Sequence, residues 1–380
     1  MKKGCIICNT ELIEAPLLKY ENMPKAAQKL PDKAELKLDK GRKLNISQCS
    51  GCGLVQLRGK PVSYYREVIR ASAFSPEMKY FRKRQFKDFI LKYGLKGQKI
   101  LEIGCGNGEY LSLMRSTGIK TYGIEYSKPA VNACKRSGLK VIRFFPEKEK
   151  EILIDGPFKA FYTLNFLEHL PLPGIMLKFA ANNICENGVG LIEVPNFDMI
   201  QKKHLFYEFI GDHLSYFTKD TLTALLKING FDVLDCRIVW HNYIISSEVR
   251  KRSRMDIKSF NNNRSKITKE LQEFINSSGV RRIAVWGAGH QALALIALAG
   301  IKDKICYVVD SAPFKQGRYT AATHIPIVSP DFLDKEPVAA IIIMAASYSD
   351  EVAKIIRKRY KNRIKTAIVR DNGLAVCGGF

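Results

Sequence analysis

From residue 99 onward, short apolar runs alternate with longer stretches in which apolar side chains recur at helical spacing. Runs of this length predict buried β-strands, and a regular strand–helix alternation predicts a parallel sheet flanked by helices. Upstream, residues 61–92 carry aromatic and aliphatic side chains near helical spacing and predict a helix. The predicted strands of this first stretch are Ile100–Ile103, Thr121–Ile124, Phe158–Thr163 and Gly190–Val194.

The alternation is interrupted over Arg250–Lys266, which is charged, rich in Asn and Ser, and predicts an exposed linker. It then resumes with the predicted strands Arg282–Trp286, Ile305–Val309 and Ala339–Met344 and the predicted helix Asp350–Tyr360. We therefore predict an α/β protein in three parts. They are a small N-terminal module at 1–60, a Rossmann-like core at 61–250 and a second, C-terminal Rossmann-like α/β domain at 265–380.

The composition is that of a globular protein. Of the 380 residues, 46% are hydrophobic and 26% are charged, and no apolar run approaches the roughly 18–20 residues that span a bilayer. The lysines at the N-terminus are not followed by an apolar segment of signal-peptide length. We expect a cytoplasmic protein without a membrane span, and the oligomeric state stays open.

The formal net charge is +24, and the basic residues are spread along the chain rather than gathered in one tail. A positive field of this kind favours nucleic acid, an anionic membrane surface or a phosphorylated small substrate as partner. A solvated, lysine-rich surface without such a partner is the alternative. The charge alone does not decide among them.

Ten cysteines in a chain expected in the cytoplasm favour metal ligands and buried thiols over disulfides. Four of them form two Cys-x-x-Cys pairs, Cys5 with Cys8 and Cys49 with Cys52. Together these thiolates make a tetrahedral site, for which zinc is the predicted ion and an iron–sulfur or redox site the alternative. A closed four-ligand site has no position for a substrate, so we expect structural zinc that folds this module.

A glycine-rich loop, LEIGCGNG over Leu101–Gly108, follows a predicted strand and precedes a predicted helix. Its glycines permit a sharp turn and close approach of backbone amides to a ligand at the helix N-terminus. Glu125 ends the next strand about twenty residues further on, where a carboxylate can accept both ribose hydroxyls of an adenosine. A dinucleotide site of the dehydrogenase type is the alternative.

The order Glu-x-Gly-x-Gly-x-Gly, which starts at Glu102, resembles the first two signature motifs of class I methyltransferases when taken together with Glu125. The resemblance implies S-adenosylmethionine as cofactor, with its methionine part at the loop amides, its ribose on Glu125 and its adenine near Tyr126. The segment Asn165-Phe-Leu-Glu-His169-Leu-Pro ends a later strand, where this fold usually closes the cofactor pocket. We expect it to contact cofactor or substrate, and capping the strand is the alternative. The predicted cofactor-binding residues are Glu102, Gly104, Gly106, Asn107, Glu125, Tyr126 and Asn165.

Two more polar segments are candidates for substrate contact. Glu193 and Asn196 end another predicted strand, and capping that strand is the alternative role. Asp212 and His213 stand before a predicted helix at Lys219–Asn229, which Thr218 is placed to cap. A histidine beside an acid can act as a general base near neutral pH, and a structural histidine is the alternative.

The C-terminal domain opens with another strand, glycine turn and helix, Ile283-Ala-Val-Trp-Gly287-Ala-Gly289-His290-Gln291. Asp310 closes the following strand, so this segment predicts a second nucleotide site. NAD binding is an alternative that lacks hydride-transfer residues, and a domain that only packs against the core is another. Ser347 and Tyr348 end a later strand at the same edge of the predicted sheet.

Together, the four-cysteine module, the core, HLSYFT at 213–218 and the C-terminal segments 309–317 and 323–330 resemble one family. It is the three-domain sugar C-methyltransferases, which act on nucleotide-linked 4-keto deoxysugars. The resemblance covers nearly the whole chain. It implies that His213 removes the proton beside the ketone, that Asp212 is its neighbouring acid, and that the nucleotide diphosphate lies between the C-terminal domain and the core. The predicted substrate-binding residues are Glu193, Asn196, Gly287, Gly289, His290, Lys315, Gln316 and Tyr348.

The sequence departs from the family pattern at three points. Ile210-Gly211-Asp212-His213 replaces the usual Tyr-His-Glu-His, and His290 stands where a lysine usually follows the glycine turn. The active-site tyrosine expected upstream of the core has only Tyr64 and Tyr65 nearby. Three alternatives therefore stay open: an O-methyltransferase of a sugar or another phosphorylated metabolite, an RNA or tRNA methyltransferase, and a non-enzymatic protein that binds cofactor and partner proteins.

Overall fold

A computed structural model describes residues 4–25, 27, 30–67, 75–277, 279, 282–361 and 363–377. The chain forms two compact units, Met1–Ser253 and Arg254–Phe380. The cysteine module lies within the first unit, so its separation at residue 60 stays a prediction. No helix among the described residues is long and apolar enough to cross a membrane.

The first unit contains all the strands predicted before residue 250. Its strands are β1 (Leu18–Met23), β2 (Arg42–Gln48), β3 (Val55–Arg58), β4 (Lys99–Ile103), β5 (Lys120–Glu125), β6 (Val141–Arg143), β7 (Phe158–Leu164), β8 (Ile184–Pro195), β9 (Ser215–Tyr216), β10 (Phe231–Val239) and β11 (Ile244–Lys251). Its helices are α1 (Pro76–Tyr93), α2 (Glu109–Arg115), α3 (Lys128–Arg136), α4 (Pro173–Asn183), α5 (Phe197–Lys202) and α6 (Lys219–Ile228).

Seven of these strands form the main sheet, in the order β10-β11-β8-β7-β4-β5-β6. Strands β4 to β8 pair in parallel, as predicted, whereas β11 runs antiparallel between β8 and β10. The winding direction reverses between β4 and β7. In Rossmann-like sheets the carboxyl ends of the strands at such a reversal open a crevice in which ligands bind.

Helix α1 begins later than the sequence predicts. Of the predicted span 61–92, residues 61–67 form irregular structure and turns, 68–74 lie outside the described residues, and the helix starts at Pro76. The Ser75 side chain accepts a hydrogen bond from the Met78 amide, and Gly94 ends the helix in the left-handed conformation. A serine cap, a proline in the first turn and a terminal glycine are the signals that set these bounds.

A small antiparallel sheet lies beside the cysteines, in the order β1-β2-β3-β9. Strand β9 reaches this sheet from the middle of the chain and pairs with β3 through Val55–Tyr216 and Gln56–Ser215. The Leu57 amide also donates to the Leu214 carbonyl at 3.0 Å. The N-terminal module therefore holds the segment that immediately follows His213.

The second unit has a six-stranded sheet in the order β14-β13-β12-β15-β16-β17, parallel except for the last pair. Its strands are β12 (Ile283–Trp286), β13 (Ile305–Val309), β14 (Ile327–Val328), β15 (Ala340–Ile343), β16 (Lys365–Arg370) and β17 (Gly373–Cys377). Its helices are α7 (Lys258–Ser277), α8 (His290–Ala299), α9 (Phe332–Lys335) and α10 (Ser349–Tyr360).

The prediction of a linker over Arg250–Lys266 is wrong at both ends. Strand β11 continues to Lys251, and α7 starts at Lys258. The first turns of α7 are polar, which hid the helix, but its later turns bury Ile267, Leu271 and Phe274 on one face. Spacings of three to four residues are those of a helix that packs against a core.

Candidate active site

The glycine loop after β4 has the conformation that its sequence requires. Gly104, Gly106 and Gly108 have φ of 72°, 54° and 83°, a region that L-residues with side chains rarely adopt. A Cβ at Gly108 would also lie 2.5 Å from the Leu139 side chain and 2.8 Å from the Cys134 sulfur. Glycine therefore permits both the turn and the close packing of the loop on its neighbours.

Glu125 ties the next strand to this loop. Its side chain is 1% exposed, and its Oε2 accepts a hydrogen bond from the Gly106 amide at 3.0 Å. Its Oε1 accepts from the Ser127 amide at 2.8 Å. These bonds hold Glu125 beside the glycine loop, and its predicted contact with ribose hydroxyls stays a prediction.

The other predicted cofactor residues occupy different environments around the crevice. Glu102 is buried and accepts a hydrogen bond from the Tyr162 hydroxyl at 2.9 Å, whereas Asn107 is exposed on the loop. Tyr126 is half-buried, with the Arg66 guanidinium 5.5 Å from its ring centre. The predicted roles of these residues in cofactor binding stay predictions.

Asn165 follows β7 at the reversal of the sheet. Its backbone has a φ of 51°, and its amide donates to the Glu193 carbonyl at 2.9 Å. Its Oδ1 is buried without a hydrogen-bond partner in the described part of the chain. A buried acceptor without a partner fits a bound ligand that carries a donor, and S-adenosylmethionine has donors in its amino group and its ribose.

Glu193 and Asn196 each bond to other parts of the protein, and their predicted role in substrate binding stays a prediction. Glu193 is completely buried and forms an ion pair with Arg82 and a hydrogen bond with Gln85, both on α1. Asn196 caps α5 by accepting from the Asp198 amide at 3.1 Å, and it donates to the Asn242 carbonyl at 2.8 Å. The sequence shows that both residues end a strand, but their partners come from distant segments.

His213 lies against a short 3-10 turn, Leu167–His169, that follows β7. The ring centres of His213 and His169 are 4.8 Å apart, with an interplanar angle of 70°. One ligand atom from each of Glu168, His169 and His213 lies within 4.8 Å of the other two. Within the described residues the His213 ring makes no hydrogen bond, so both its nitrogens are available to a ligand.

Asp212 does not support His213 in the way that their adjacency predicts. One carboxylate oxygen accepts from the Tyr64 hydroxyl, and the other accepts from the Ala27 amide at 2.8 Å. The main-chain carbonyl of Asp212 lies 3.0 Å from Nδ1 of His169. The described side chains thus form no Asp212–His213 pair, and Tyr64 is brought to the site through Asp212.

Burial shifts the three titratable groups of this cluster in different directions. It raises the pKa of Glu168 to about 8, and it lowers the pKa of His213 to about 3 with a further contribution from His169. It also lowers the pKa of His169, partly offset by the Asp212 carbonyl and carboxylate. At pH 7 both imidazoles are neutral, which is the form that accepts a proton.

The second unit has its own crevice at the ends of β12 and β15, with a volume of about 330 Å³. Five of the six substrate-binding residues predicted in this unit line it: Gly287, Gly289, His290, Lys315 and Tyr348. The sixth, Gln316, instead donates to the Asp310 carbonyl at 3.0 Å. A larger neighbouring cavity of about 750 Å³ shares Gln291, Met344 and Ala346 with this crevice.

Asp310 organises this second crevice. Its carboxylate accepts from the Ala288 amide at 2.8 Å, from the Ala312 amide at 2.9 Å and from Lys315 Nζ at 2.9 Å. Burial acts to raise the pKa of Asp310, but these donors outweigh it and hold the pKa below its usual value. The carboxylate therefore fixes the glycine turn and Lys315 relative to each other.

Comparison with known proteins identifies both parts of the chain. A methyltransferase domain model matches residues 78–235, and a C-methyltransferase C-terminal domain model matches residues 246–369. The C-methyltransferase NovU of Streptomyces niveus is 23% identical over 346 residues, which cover 81% of each chain. The chain thus contains a methyltransferase domain followed by a C-methyltransferase C-terminal domain. It is an S-adenosylmethionine-dependent methyltransferase with a class I Rossmann-like core, as the resemblance predicts.

Other relatives match the methyltransferase over shorter stretches. A ubiquinone biosynthesis O-methyltransferase of Caulobacter sp. (strain K31) is 27% identical over 107 residues, 27% of this chain and 42% of that protein. The PH0226 protein of Pyrococcus horikoshii OT3 covers 50% of this chain and 98% of its own, with 15% identity and a TM-score of 0.41. A structural likeness at this level carries no information on the reaction.

The four cysteines of the methyltransferase converge as their spacing predicts. Cys5 and Cys52 have their sulfurs 3.5 Å apart, as do Cys8 and Cys49, and all four lie within 4.8 Å of one another. The Ile7 amide donates to the Cys5 sulfur, and the Gly51 amide to the Cys49 sulfur. Tetrahedral zinc with bonds of about 2.3 Å needs sulfurs about 3.8 Å apart, so the residues present fit the ion.

Sequence reasoning marked the segment from Asn165 to His169 and the neighbourhood of Tyr64, but it gave no individual role to Glu168, His169 or Tyr64. Glu168 and His169 lie in the segment that the sequence marks through Asn165, and the Glu-His pair directly after a strand end was the available signal. The family resemblance pointed only to the neighbourhood of Tyr64, and local pattern could not pair it with Asp212, which is 148 residues away.

Proposed function

We propose that this methyltransferase transfers the methyl group of S-adenosylmethionine to a carbon beside the ketone of a nucleotide-linked deoxysugar. The observation that carries the proposal is the neutral His213 imidazole, which is free of hydrogen bonds to the described residues and packs on the turn after β7. A family relative named as a C-methyltransferase supports transfer to carbon.

The cofactor would lie in the crevice of the main sheet. Gly104, Gly106 and Asn107 would face its methionine part, Glu125 its ribose, and Tyr126 its adenine. The unpartnered Oδ1 of Asn165 would accept one of its donors. Glu102 would act from inside the sheet, where Tyr162 holds it. When bound, S-adenosylmethionine supplies an electrophilic methyl group.

His213 would act as the general base. Its neutral ring takes the proton from the carbon beside the ketone, and the electron pair of that C–H bond forms the enolate of the sugar. Withdrawal of charge by the carbonyl makes this proton removable by an imidazole once the enolate oxygen is stabilised. The enolate carbon is then the nucleophile for methyl transfer.

The second unit would hold the nucleotide. His290, Lys315 and the amides of Gly287 and Gly289 supply the donors that phosphate and ribose oxygens need. Tyr348 lines the same crevice, and Gln316 would act indirectly by bonding to Asp310. In the first unit, zinc on Cys5, Cys8, Cys49 and Cys52 would have a structural role.

A second candidate is methyl transfer to oxygen on the same scaffold. The matches to ubiquinone biosynthesis O-methyltransferases over about a quarter of the chain favour it. A histidine base is equally suited to a hydroxyl proton. The two candidates differ in which atom of the acceptor loses its proton.

The test is mass spectrometry of 4-keto-6-deoxy nucleotide sugars incubated with the enzyme and S-adenosylmethionine, in H₂O and in D₂O. C-methylation predicts one added methyl group and solvent deuterium beside the ketone. A methyl group without carbon-bound deuterium would support O-methylation, and no methylated sugar would refute a nucleotide-sugar substrate.

His213→Ala should lower turnover by at least about 100-fold while the affinity for S-adenosylmethionine stays within a few fold, because a base acts on the acceptor and not on the cofactor. The matched control is His241→Ala, an exposed histidine of the same unit that pairs with Glu77 at 2.9 Å. Near wild-type turnover of the His213 variant would remove this residue from the mechanism.

A further inference from the structure

The base at His213 needs an electrostatic partner that Asp212 does not supply. When a neutral imidazole accepts a proton in a buried site, the positive charge that forms is stabilised by a nearby carboxylate. Both carboxylate oxygens of Asp212 are bonded elsewhere, to Tyr64 and to the amide of Ala27. Asp212 therefore orders the loop, and its carboxylate makes no hydrogen bond or ion pair with the His213 ring among the described residues.

Glu168 has a carboxylate oxygen within 4.8 Å of a His213 ring nitrogen. It is 1% exposed, and its Oε1 lies 3.8 Å from Nε2 of His169. Its Oε2 is buried and has no hydrogen-bond partner among the described residues. Its main-chain carbonyl accepts from the Leu214 amide at 2.7 Å, so the backbone of Glu168 is bonded to the residue that follows His213.

His169 is close to both the acid and the base, and its tautomer is defined. A carbonyl oxygen only accepts hydrogen bonds, so the 3.0 Å contact with the Asp212 carbonyl places the ring proton of neutral His169 on Nδ1. Its Nε2 then presents a lone pair toward Glu168. His213 thus packs on a neutral ring whose second nitrogen lies 3.8 Å from the Glu168 carboxylate.

We propose that Glu168, acting with His169 and in place of Asp212, is the positioning residue that supports His213 as a base. The proposal rests on the proposed function and adds a residue to it. In the active form Glu168 has released its proton to solvent, and its negative charge stabilises the imidazolium that forms when His213 takes the substrate proton. The protonated form of Glu168 leaves His213 as a weaker base.

The pKa values of the neighbouring tyrosines Tyr216 and Tyr243 lie well above neutral pH, whereas that of Glu168 lies near it. Tyr243 donates to Glu208 at 3.3 Å, and burial and that carboxylate raise its pKa to about 12. Tyr216 hydrogen-bonds to the backbone of Ile210, and burial raises its pKa. The groups that face the cluster are His169, Asp212, His213, Tyr64, Glu208, Tyr216 and Tyr243.

The sign of the pH effect follows from the buried acid. Below its pKa of about 8, Glu168 is neutral and gives His213 no support. Above that pH it is ionised, and the imidazolium is stabilised. Turnover should therefore rise with pH through this window and reach a plateau above it.

The first experiment measures kcat between pH 6 and 9.5 for the full chain and for Glu168→Gln. We expect the variant to be about 100-fold slower at the plateau and to lose the rise near pH 8. Glu168→Asp keeps a carboxyl and should keep a rise with pH. Asp212→Asn should keep the rise of kcat with pH, even if its kcat is lower than that of the wild type. A rise that persists in Glu168→Gln, or disappears in Asp212→Asn, would overturn the proposal.

A second experiment needs no substrate and so separates this proposal from the proposed function. In ¹⁵N NMR of the histidine rings, an ionisation near pH 8 should shift the His169 and His213 signals of the wild type without protonating either ring. The shift should be absent in Glu168→Gln, provided thermal unfolding shows that the variant is folded. A shift that remains in the variant would refute Glu168 as its source.

The same cluster also has the composition of a transition-metal site, with two neutral imidazoles and a carboxylate. Metal analysis decides whether the cluster binds an ion or whether Glu168 is free to take up and release a proton. If the cluster binds no ion, the wild type and Glu168→Gln should have the same metal content, equal to that of the four-cysteine site. An additional ion that is lost in the variant would overturn the proposal.

Discussion

Gly108 is required for two separate reasons. Its φ of 83° is costly for any residue with a side chain, and a Cβ at this position would collide with Leu139 and Cys134. Gly118 has nearly the same φ, 84°, but a Cβ there would meet nothing within 4 Å. The two positions therefore separate the effect of backbone strain from the effect of packing.

Gly108→Ala should lower the free energy of unfolding by roughly 2–4 kcal/mol and weaken binding of S-adenosylmethionine, because the loop must shift to relieve the collision. Gly118→Ala should lower it by about 1 kcal/mol, from strain alone, and leave the affinity unchanged. Urea unfolding and calorimetric titration of the cofactor measure both quantities. Equal effects of the two substitutions would mean that the loop has room for a side chain.

At the scale of elements, helix α1 is fixed to the main sheet by a buried ion pair. Arg82 is 1% exposed and pairs with Glu193 at the end of β8, while Gln85 bonds to both residues. The guanidinium carbon lies 5.1 Å from the Tyr110 ring centre on α2. The amide of Asn165 bonds to the Glu193 carbonyl, so this network also backs the cofactor crevice.

Arg82→Met should lower the free energy of unfolding by about 3–5 kcal/mol, because it leaves the Glu193 carboxylate buried without a positive partner. Adding Glu193→Gln should recover part of that loss by removing the charge. The control is Lys43→Met, which breaks the exposed Lys43–Glu21 pair and should change stability by less than about 1 kcal/mol. If the two single variants unfold at the same denaturant concentration, the buried pair is not a determinant of stability.

At the scale of the molecule, strand pairing and hydrogen bonds connect the cysteine module to the segment that carries His213. Strand β3 of the module pairs with β9, two residues after His213, and Tyr64 and Ala27 both bond to Asp212. The glycine loop and Glu125, in contrast, belong to the seven-stranded sheet. Loss of the proposed zinc should therefore disturb the segment that carries His213 more than the proposed cofactor site.

Cys52→Ser, or removal of the metal by a chelator, should lower turnover by at least about 10-fold while cofactor affinity stays within a few fold, because the loop that carries His213 loses its anchor. Hydrogen exchange of residues 212–217 should increase in parallel. Cys306→Ser is the control, since this exposed thiol lies in the second unit. Unchanged exchange in the metal-free protein would show that the module does not order the site.

The sequence by itself determined the features that depend on neighbours along the chain. Apolar runs predicted four of the seven strands of the main sheet and three of the six strands of the second unit, because the burial of a strand shows in its local pattern of apolar residues. The glycine loop, the cap at Thr218 and the two cysteine pairs were predicted for the same reason, since each depends on residues within one turn of structure. The family resemblance followed from these local motifs.

Only the tertiary structure decided which side chains meet at the site. Asp212 is adjacent to His213 in sequence, but it bonds to Tyr64, 148 residues away, and Glu193 bonds to Gln85, 108 residues away. The local sequence pattern contains no information on such pairs, because the order of the strands in the sheet and the connections between them decide which distant residues come into contact. Glu168, which has a carboxylate oxygen within 4.8 Å of a His213 ring nitrogen, is likewise brought there by contact between the turn after β7 and the 212–216 segment.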